Sequence, residues 1–179
     1  MNLPNKLSLL RVLMIPVMVA LMYVRTDACY VLATVVFALA AFTDFLDGYI
    51  ARKNHLVTDF GKFVDPVADK LLVLSALIML CYQDLMLSWV VVLILARELS
   101  VDGLRMVAVG KGKVIAAGWL GKVKTVSQML LVLYLMIFRI PVMQHWLGIA
   151  GTAWVVVITL WSGIDYFVRN GSIVFEDMK

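Results

Sequence analysis

Apolar residues run along this chain in six long blocks, separated by short polar stretches. The blocks cover roughly Leu7–Val24, Cys29–Ile50, Asp65–Tyr82, Leu87–Leu104, Trp119–Phe138 and Trp146–Val168. A bilayer core of ~30 Å takes about 20 residues of helix to cross. Backbone groups in lipid must find their hydrogen bonds within the segment. The pattern therefore predicts an all-α integral membrane protein with six transmembrane helices. Pro16 falls inside the first block, where a kink is expected. That block, led by Lys6 and Arg11, has the look of a signal peptide. No small-residue cleavage site follows it, and "YVRTDACY" passes straight into the next apolar run, so a retained helix is expected.

Composition strengthens this reading. Of 179 residues, 63% are hydrophobic and 16% charged, whereas soluble domains sit near one half and one quarter. The chain reads as a single membrane domain over 1–179, with no composition shift at which to divide it. No internal repeat is evident, which weakens a transporter reading. With six helices, both termini and the second and fourth connectors share one side. Every Lys and Arg except Arg25 and Arg139 lies in or nearer that side. The positive-inside rule makes it cytoplasmic, and a missed or extra helix would scramble the asymmetry. The net charge of +4 is thus topology and attraction for anionic lipid, with no nucleic-acid partner implied. Cys29 and Cys81 form no metal-like cluster and read as packing residues. His55 and His145 lie in different connectors.

Charged residues inside membrane helices are costly and mark function by default. They concentrate in "FTDFLDGYIARKNHLVTDFGKFVDPVADK". Asp44 and Asp47 are three apart, and Gly48, Ala51 and Arg52 continue the same helical stripe. Asp65 and Asp69 are four apart, with Gly61 one turn earlier. The connector between the pairs is short, so both pairs belong at the cytoplasmic ends of neighbouring helices 2 and 3. Four converging carboxylates would repel strongly and take up protons unless cations intervened. Oxygen-only ligands suit Mg²⁺ or Mn²⁺, and two such ions can stabilise both oxygens of an in-line displacement at phosphorus. Gly48 lets a ligand approach the backbone, and Arg52 offers a fixed charge suited to phosphate. The alternative is that these aspartates are caps or ion-pair partners. Asp65 before Pro66 does look like an N-cap and first-turn proline.

The spacing Asp44-x2-Asp47-Gly48-x2-Ala51-Arg52-x8-Gly61-x3-Asp65-x3-Asp69 resembles, without departure, the signature of the CDP-alcohol phosphotransferase family. The resemblance implies a six-helix membrane fold, usually a homodimer, with a two-metal site open to the cytoplasm. It implies that Asp44, Asp47 and Asp65 hold metal. Asp69 would touch the second metal and act as general base. Gly48, Arg52 and Thr58 would contact the CDP moiety, and Gly61 would allow close approach. Further blocks, "NLPNKLSLLRVLMIP", "DPVADKLLV", "ARELSVDGLR", "AAGWLGKVKT" and "SGIDYF", resemble the bacterial branch of that family. The resemblance implies transfer of the phosphatidyl group of CDP-diacylglycerol to glycerol 3-phosphate, in phospholipid biosynthesis at the cell membrane.

An acceptor of that kind carries its own phosphate. Arg97, Arg105, Lys122 and Lys124 are the candidates to hold it, with a pairing of Arg97 to Glu98 or a topology role as the alternative. Asn5, Ser8 and Arg11 open the first helix at the same face; they could reach the nucleotide, or simply cap and snorkel. Asp102 and Asp165 are expected to pair with nearby basic residues. Lys111 and Lys113 in "GKGK" read as lipid-surface charges, because the spacing of a phosphate-binding P-loop is missing. Rival readings keep the chemistry with another acceptor (inositol phosphate, serine or phosphatidylglycerol), or make the aspartates the ion path of a cation transporter. The latter leaves Gly48, Arg52 and Gly61 without a role.

Overall fold

A computed structural model describes the backbone of residues 3–53, 59–113, 115–116 and 118–172, and side chains over the same ranges except 3–5, 44–53, 59–63, 65 and 66. Among the described residues the chain is all-helical. Six α-helices follow in order: α1 Leu3–Val24, α2 Asp27–Lys53, α3 Asp59–Tyr82, α4 Ser88–Gly110, α5 Trp119–Phe138 and α6 Trp146–Asn170. A single 3₁₀ turn, Val142–Gln144, precedes α6.

The helices match the six apolar blocks but run past them at their polar ends. α2 continues to Lys53, α3 begins at Asp59, and α4 runs on to Gly110. The apolar run marks the lipid slab, whereas helical hydrogen bonding continues into the interface. This corrects one expectation. Asp65 and Pro66 lie inside α3, so Asp65 is not its N-cap. Pro16 likewise lies within a continuous α1.

Among the described residues, three stretches are long and apolar enough to cross a membrane: Lys6–Val24, Trp119–Phe138 and Trp146–Asn170, with Asp27–Thr43 a shorter apolar stretch. The shortfall from six has a chemical cause in α4, where Arg97, Glu98, Asp102 and Arg105 interrupt the apolar run. In α2 and α3 the side chains of 44–53, 59–63, 65 and 66 lie outside the described residues.

The helices pack as two units, Met1–Leu85 with Val132–Ile140, and Met86–Leu131 with Pro141–Lys179. In the first, α1 packs on α2 and α3. Its buried stripe is Ser8, Arg11, Ile15, Met18 and Met22, one face of a helix at alternating steps of three and four. Facing residues include Ala33, Phe37 and Ala40 of α2 and Ala68, Leu72, Ala76 and Leu80 of α3, all fully buried. Alanine at so many contact positions lets helix axes approach closely, which is how helices pack when lipid supplies no hydrophobic drive.

In the second unit α4 packs on α6. The α6 stripe is Gly148, Thr152, Val155, Ile158, Thr159, Ser162 and Tyr166, rich in small and hydroxyl-bearing residues. Thr159 Oγ1 accepts a long hydrogen bond from Gln128 Nε2 at 3.5 Å, and Trp154 Nε1 donates to Ser127 Oγ at 3.0 Å. Such bonds join membrane helices at modest net energy, about 0.6 kcal/mol each. Gly148 lies so close to the 3₁₀ turn that a Cβ there would sit 2.8 Å from the Val142 carbonyl oxygen.

Candidate active site

α2 and α3 form a helical hairpin with only residues 54–58 between them. The backbone is helical through Asp44, Asp47, Gly48 and Arg52, and again through Gly61, Asp65 and Asp69. Each aspartate pair therefore stands about one turn apart on an uninterrupted helix, as the spacing predicts. The pairs belong to the C-terminal end of α2 and the N-terminal end of α3, so the hairpin carries both to the same end of its unit. Thr58 and the side chains of Asp44, Asp47, Arg52 and Asp65 lie outside the described residues, as does the side chain of Asn5.

Asp69 is described. Its neighbours Ala68 and Leu72 are fully buried, and its own Oδ1 is shielded from solvent. A carboxylate in such surroundings needs a cation or donors close by.

The start of α1 reaches the same end of the unit, because α1, α2 and α3 run up, down and up. Ser8 is 1% exposed and Arg11 0%. This excludes two of the simpler roles. Ser8 stands in the second turn of a helix that begins at Leu3, so it does not cap it. Arg11 is enclosed by protein, so it does not snorkel to water. A fully buried guanidinium at the aspartate end of the unit is a charged component of the interior.

The second unit holds a cluster of its own. Glu98 on α4 accepts from Arg97 Nη1 at 3.1 Å and makes a close ion pair with Lys124 of α5. All three side chains are at most 12% exposed. Arg97 is threaded between two glycines. A Cβ on Gly121 of α5 would lie 3.8 Å from its Nη2, and one on Gly163 of α6 would lie 3.2 Å from its Cγ. Two turns further along α4, Arg105 donates from Nε to the Tyr166 hydroxyl at 3.0 Å and stacks over that ring at 5.4 Å. The structure thus joins Arg97 to Lys124 through Glu98, and gives Arg105 a separate aromatic seat. Lys122 is exposed, and two positions from Lys124 it faces the other side of α5. The expected pairing of Arg97 with Glu98 is present. Asp165 takes its expected basic partner, accepting from Arg169 Nε at 2.7 Å.

Comparison with known proteins decides the affiliation. The family model for CDP-alcohol phosphatidyltransferase matches residues 1–161. The chain belongs to this family. It is 42% identical over 183 residues to the CDP-diacylglycerol–glycerol-3-phosphate 3-phosphatidyltransferase of Bacillus subtilis (strain 168), covering 94% of this chain and 95% of the relative. It is 36% identical to the protein of the same name from Salmonella choleraesuis (strain SC-B67), covering 92% of each. A third relative of that name, from Sodalis glossinidius (strain morsitans), is 37% identical and covers 98% of each chain.

As a CDP-alcohol phosphatidyltransferase, the chain needs to manage a diphosphate, and its residues suit divalent metal. The aspartates of the signature would offer carboxylate oxygen alone, which hard cations prefer, and the described one, Asp69, has a shielded oxygen. Sequence reasoning paired Glu98 with Arg97 but not with Lys124, and it missed the roles of Tyr166, Gly121 and Gly163. Glu98 is the hub of the cation cluster, Tyr166 seats Arg105, and Gly121 and Gly163 make the slot for Arg97. The signal for Glu98 was its cost, since a carboxylate in an apolar run needs a reason. Nothing in linear spacing linked Gly121 or Gly163 to Arg97.

Proposed function

We propose that this phosphatidyltransferase moves the phosphatidyl group of CDP-diacylglycerol to glycerol 3-phosphate, releasing CMP and forming phosphatidylglycerophosphate. The observation that carries the reading is likeness along nearly the whole chain to enzymes of that name, at 36–42% identity, in a sequence that keeps every position of the aspartate signature. The match over residues 1–161 supports treating the two packing units as one functional domain.

Asp44, Asp47, Asp65 and Asp69 are the residues to hold two divalent ions, Mg²⁺ or Mn²⁺. When bound, such ions neutralise the diphosphate and the leaving phosphate. Asp69 takes the proton of the acceptor hydroxyl as it attacks the phosphorus bearing diacylglycerol, a general-base role that requires hydrogen-bond reach. The bond from that phosphorus to the bridging oxygen of CMP breaks as the new phosphoester forms. Gly48, Arg52, Thr58 and Gly61 receive the CDP moiety, with Asn5 and Ser8 from α1. Arg97, Arg105, Lys122 and Lys124 attract the phosphate of the acceptor. Buried Glu98 keeps the first and last of the four in place between substrates.

All six helices span the cell membrane in this reading, with both termini and the active site on the cytoplasmic side. The support is the confinement of nearly all Lys and Arg to that side, and the enzyme works as a homodimer. The test is CMP release by purified protein with CDP-diacylglycerol and Mg²⁺, one candidate acceptor at a time. Release that depends on glycerol 3-phosphate and stops with chelator is the expected result. Release only with inositol phosphate, serine or phosphatidylglycerol overturns the acceptor and keeps the chemistry.

A further inference from the structure

The end of the first unit away from the aspartates carries an open cleft of about 190 Å³, lined by Arg25, Tyr30, Gln83, Leu85 and Arg139. Arg25 follows the last residue of α1, Tyr30 lies in the first turn of α2, Gln83 follows α3, and Arg139 follows α5. The family signature uses none of them.

Three features set this cleft apart from an ordinary helix end. First, its two guanidiniums are held by aromatic rings. Arg25 lies over Tyr82 at 5.0 Å, with Tyr82 stacked on Tyr23, and Arg139 lies over Tyr30 at 5.1 Å. Second, both arginines occupy left-handed backbone, φ 59° and 52°. Glycine takes that conformation at a helix C-terminus without strain, so arginine is kept there against a backbone cost. Third, two polar atoms of the cleft's lining are buried without a hydrogen bond among the described residues, the Tyr30 hydroxyl and Gln83 Oε1. Gln83 is oriented by its other amide atom, Nε2, which donates to the Met22 carbonyl at 2.7 Å. Tyr30 is only 5% exposed, and a hydroxyl withdrawn from water carries a cost that a hydrogen bond would offset.

The acidic residues nearby do not cancel this chemistry. Asp27 pairs with Arg139 Nη1 at 2.6 Å, but its side chain is 87% exposed, and exposed pairs are weak. Asp84 does not line the cleft. We propose that the cleft binds a phosphate-bearing anion, gripped by Arg25 and Arg139 and hydrogen-bonded by the Tyr30 hydroxyl. Phosphate suits paired guanidiniums, and a cleft at the end of membrane helices lies at headgroup level. The source is either a lipid phosphodiester or free phosphate.

The test uses full-length protein in detergent, titrated separately with phosphatidylglycerol, phosphatidylcholine and inorganic phosphate, with binding followed by native mass spectrometry and melting temperature. Wild type, Tyr30→Phe and the double variant Arg25→Gln/Arg139→Gln are compared. The expected result is preferential binding of phosphatidylglycerol, weakened at least fivefold in both variants, with CMP release unchanged. A response to millimolar inorganic phosphate that both variants lose would support the anion site and make free phosphate the occupant. Equal binding by wild type and variants in every titration would overturn the proposal. Where the double variant does not accumulate, Tyr30→Phe decides alone. It keeps the ring under Arg139 and removes only a hydroxyl that has no hydrogen-bond partner among the described residues.

Discussion

The Arg97–Glu98–Lys124 cluster shows how a single side chain can govern the charge of a whole region. Removing one partner of a buried ion pair leaves the other charge uncompensated, at a cost of about 3–5 kcal/mol. Glu98→Gln keeps the shape and a hydrogen-bond acceptor but removes the charge. Its expected effect is a rise of roughly tenfold in KM for glycerol 3-phosphate with a smaller change in kcat, the size of about 1.4 kcal/mol in binding. Steady-state kinetics at varied acceptor concentration checks it; equal losses in KM and kcat would place Glu98 outside acceptor binding. Asp69→Asn should abolish CMP release while most CDP-diacylglycerol binding survives, which a donor-binding assay run beside the turnover assay reads directly. At this scale the sequence was informative for residues whose cost betrays them. Asp69, Arg97 and Arg105 stand out because charge in an apolar block needs a purpose. Gly163 does not, because a glycine shows its purpose only when a neighbour's side chain is seen to fill its place.

For whole helices, the six apolar blocks map onto the six α-helices, and Trp119–Phe138 has the same limits in both. The mismatches fall at polar ends, where Ala51–Lys53, Asp59–Val64 and Arg105–Gly110 are helical despite their charges. Hydropathy reports where lipid is, and helix geometry extends beyond it. The practical result is that both aspartate pairs sit on rigid helix rather than on a loop, which favours a fixed arrangement of donors. Chelation should therefore stop turnover without unfolding the chain. Activity and the circular-dichroism signal, followed together during EDTA titration and Mg²⁺ return, should separate and then recover. The contact between Gly148 and the 3₁₀ turn gives a second expectation. In Gly148→Ala the new methyl meets the Val142 carbonyl, a backbone atom, at 2.8 Å. Overpacking of that kind costs about 1–3 kcal/mol, visible as a lower melting temperature in detergent with little change in KM.

Over the whole molecule, the proposed orientation rests on where the basic residues lie. Single cysteines placed at Lys111 and at Gln144, after Cys29 and Cys81 are replaced by serine, should react with an impermeant maleimide from opposite sides of the membrane in intact cells and inverted vesicles. Labelling of both from one side would remove a helix from the count. The division into two packing units was not legible, since it depends on which helix faces meet, and several faces in this chain are equally apolar.

The slot that holds Arg97 also bears on how the protein is made. In the proposed six-helix topology the arginine would enter the membrane with the fourth helix, whereas the glycines that shelter it belong to the fifth and the sixth. On that topology the cationic side chain would precede Gly163 by 66 residues of sequence (163 less 97). A chain cut short before Trp146 would lack Gly163 and leave that side of Arg97 without its cover. The last helix thus completes the seat of an arginine laid down two helices earlier.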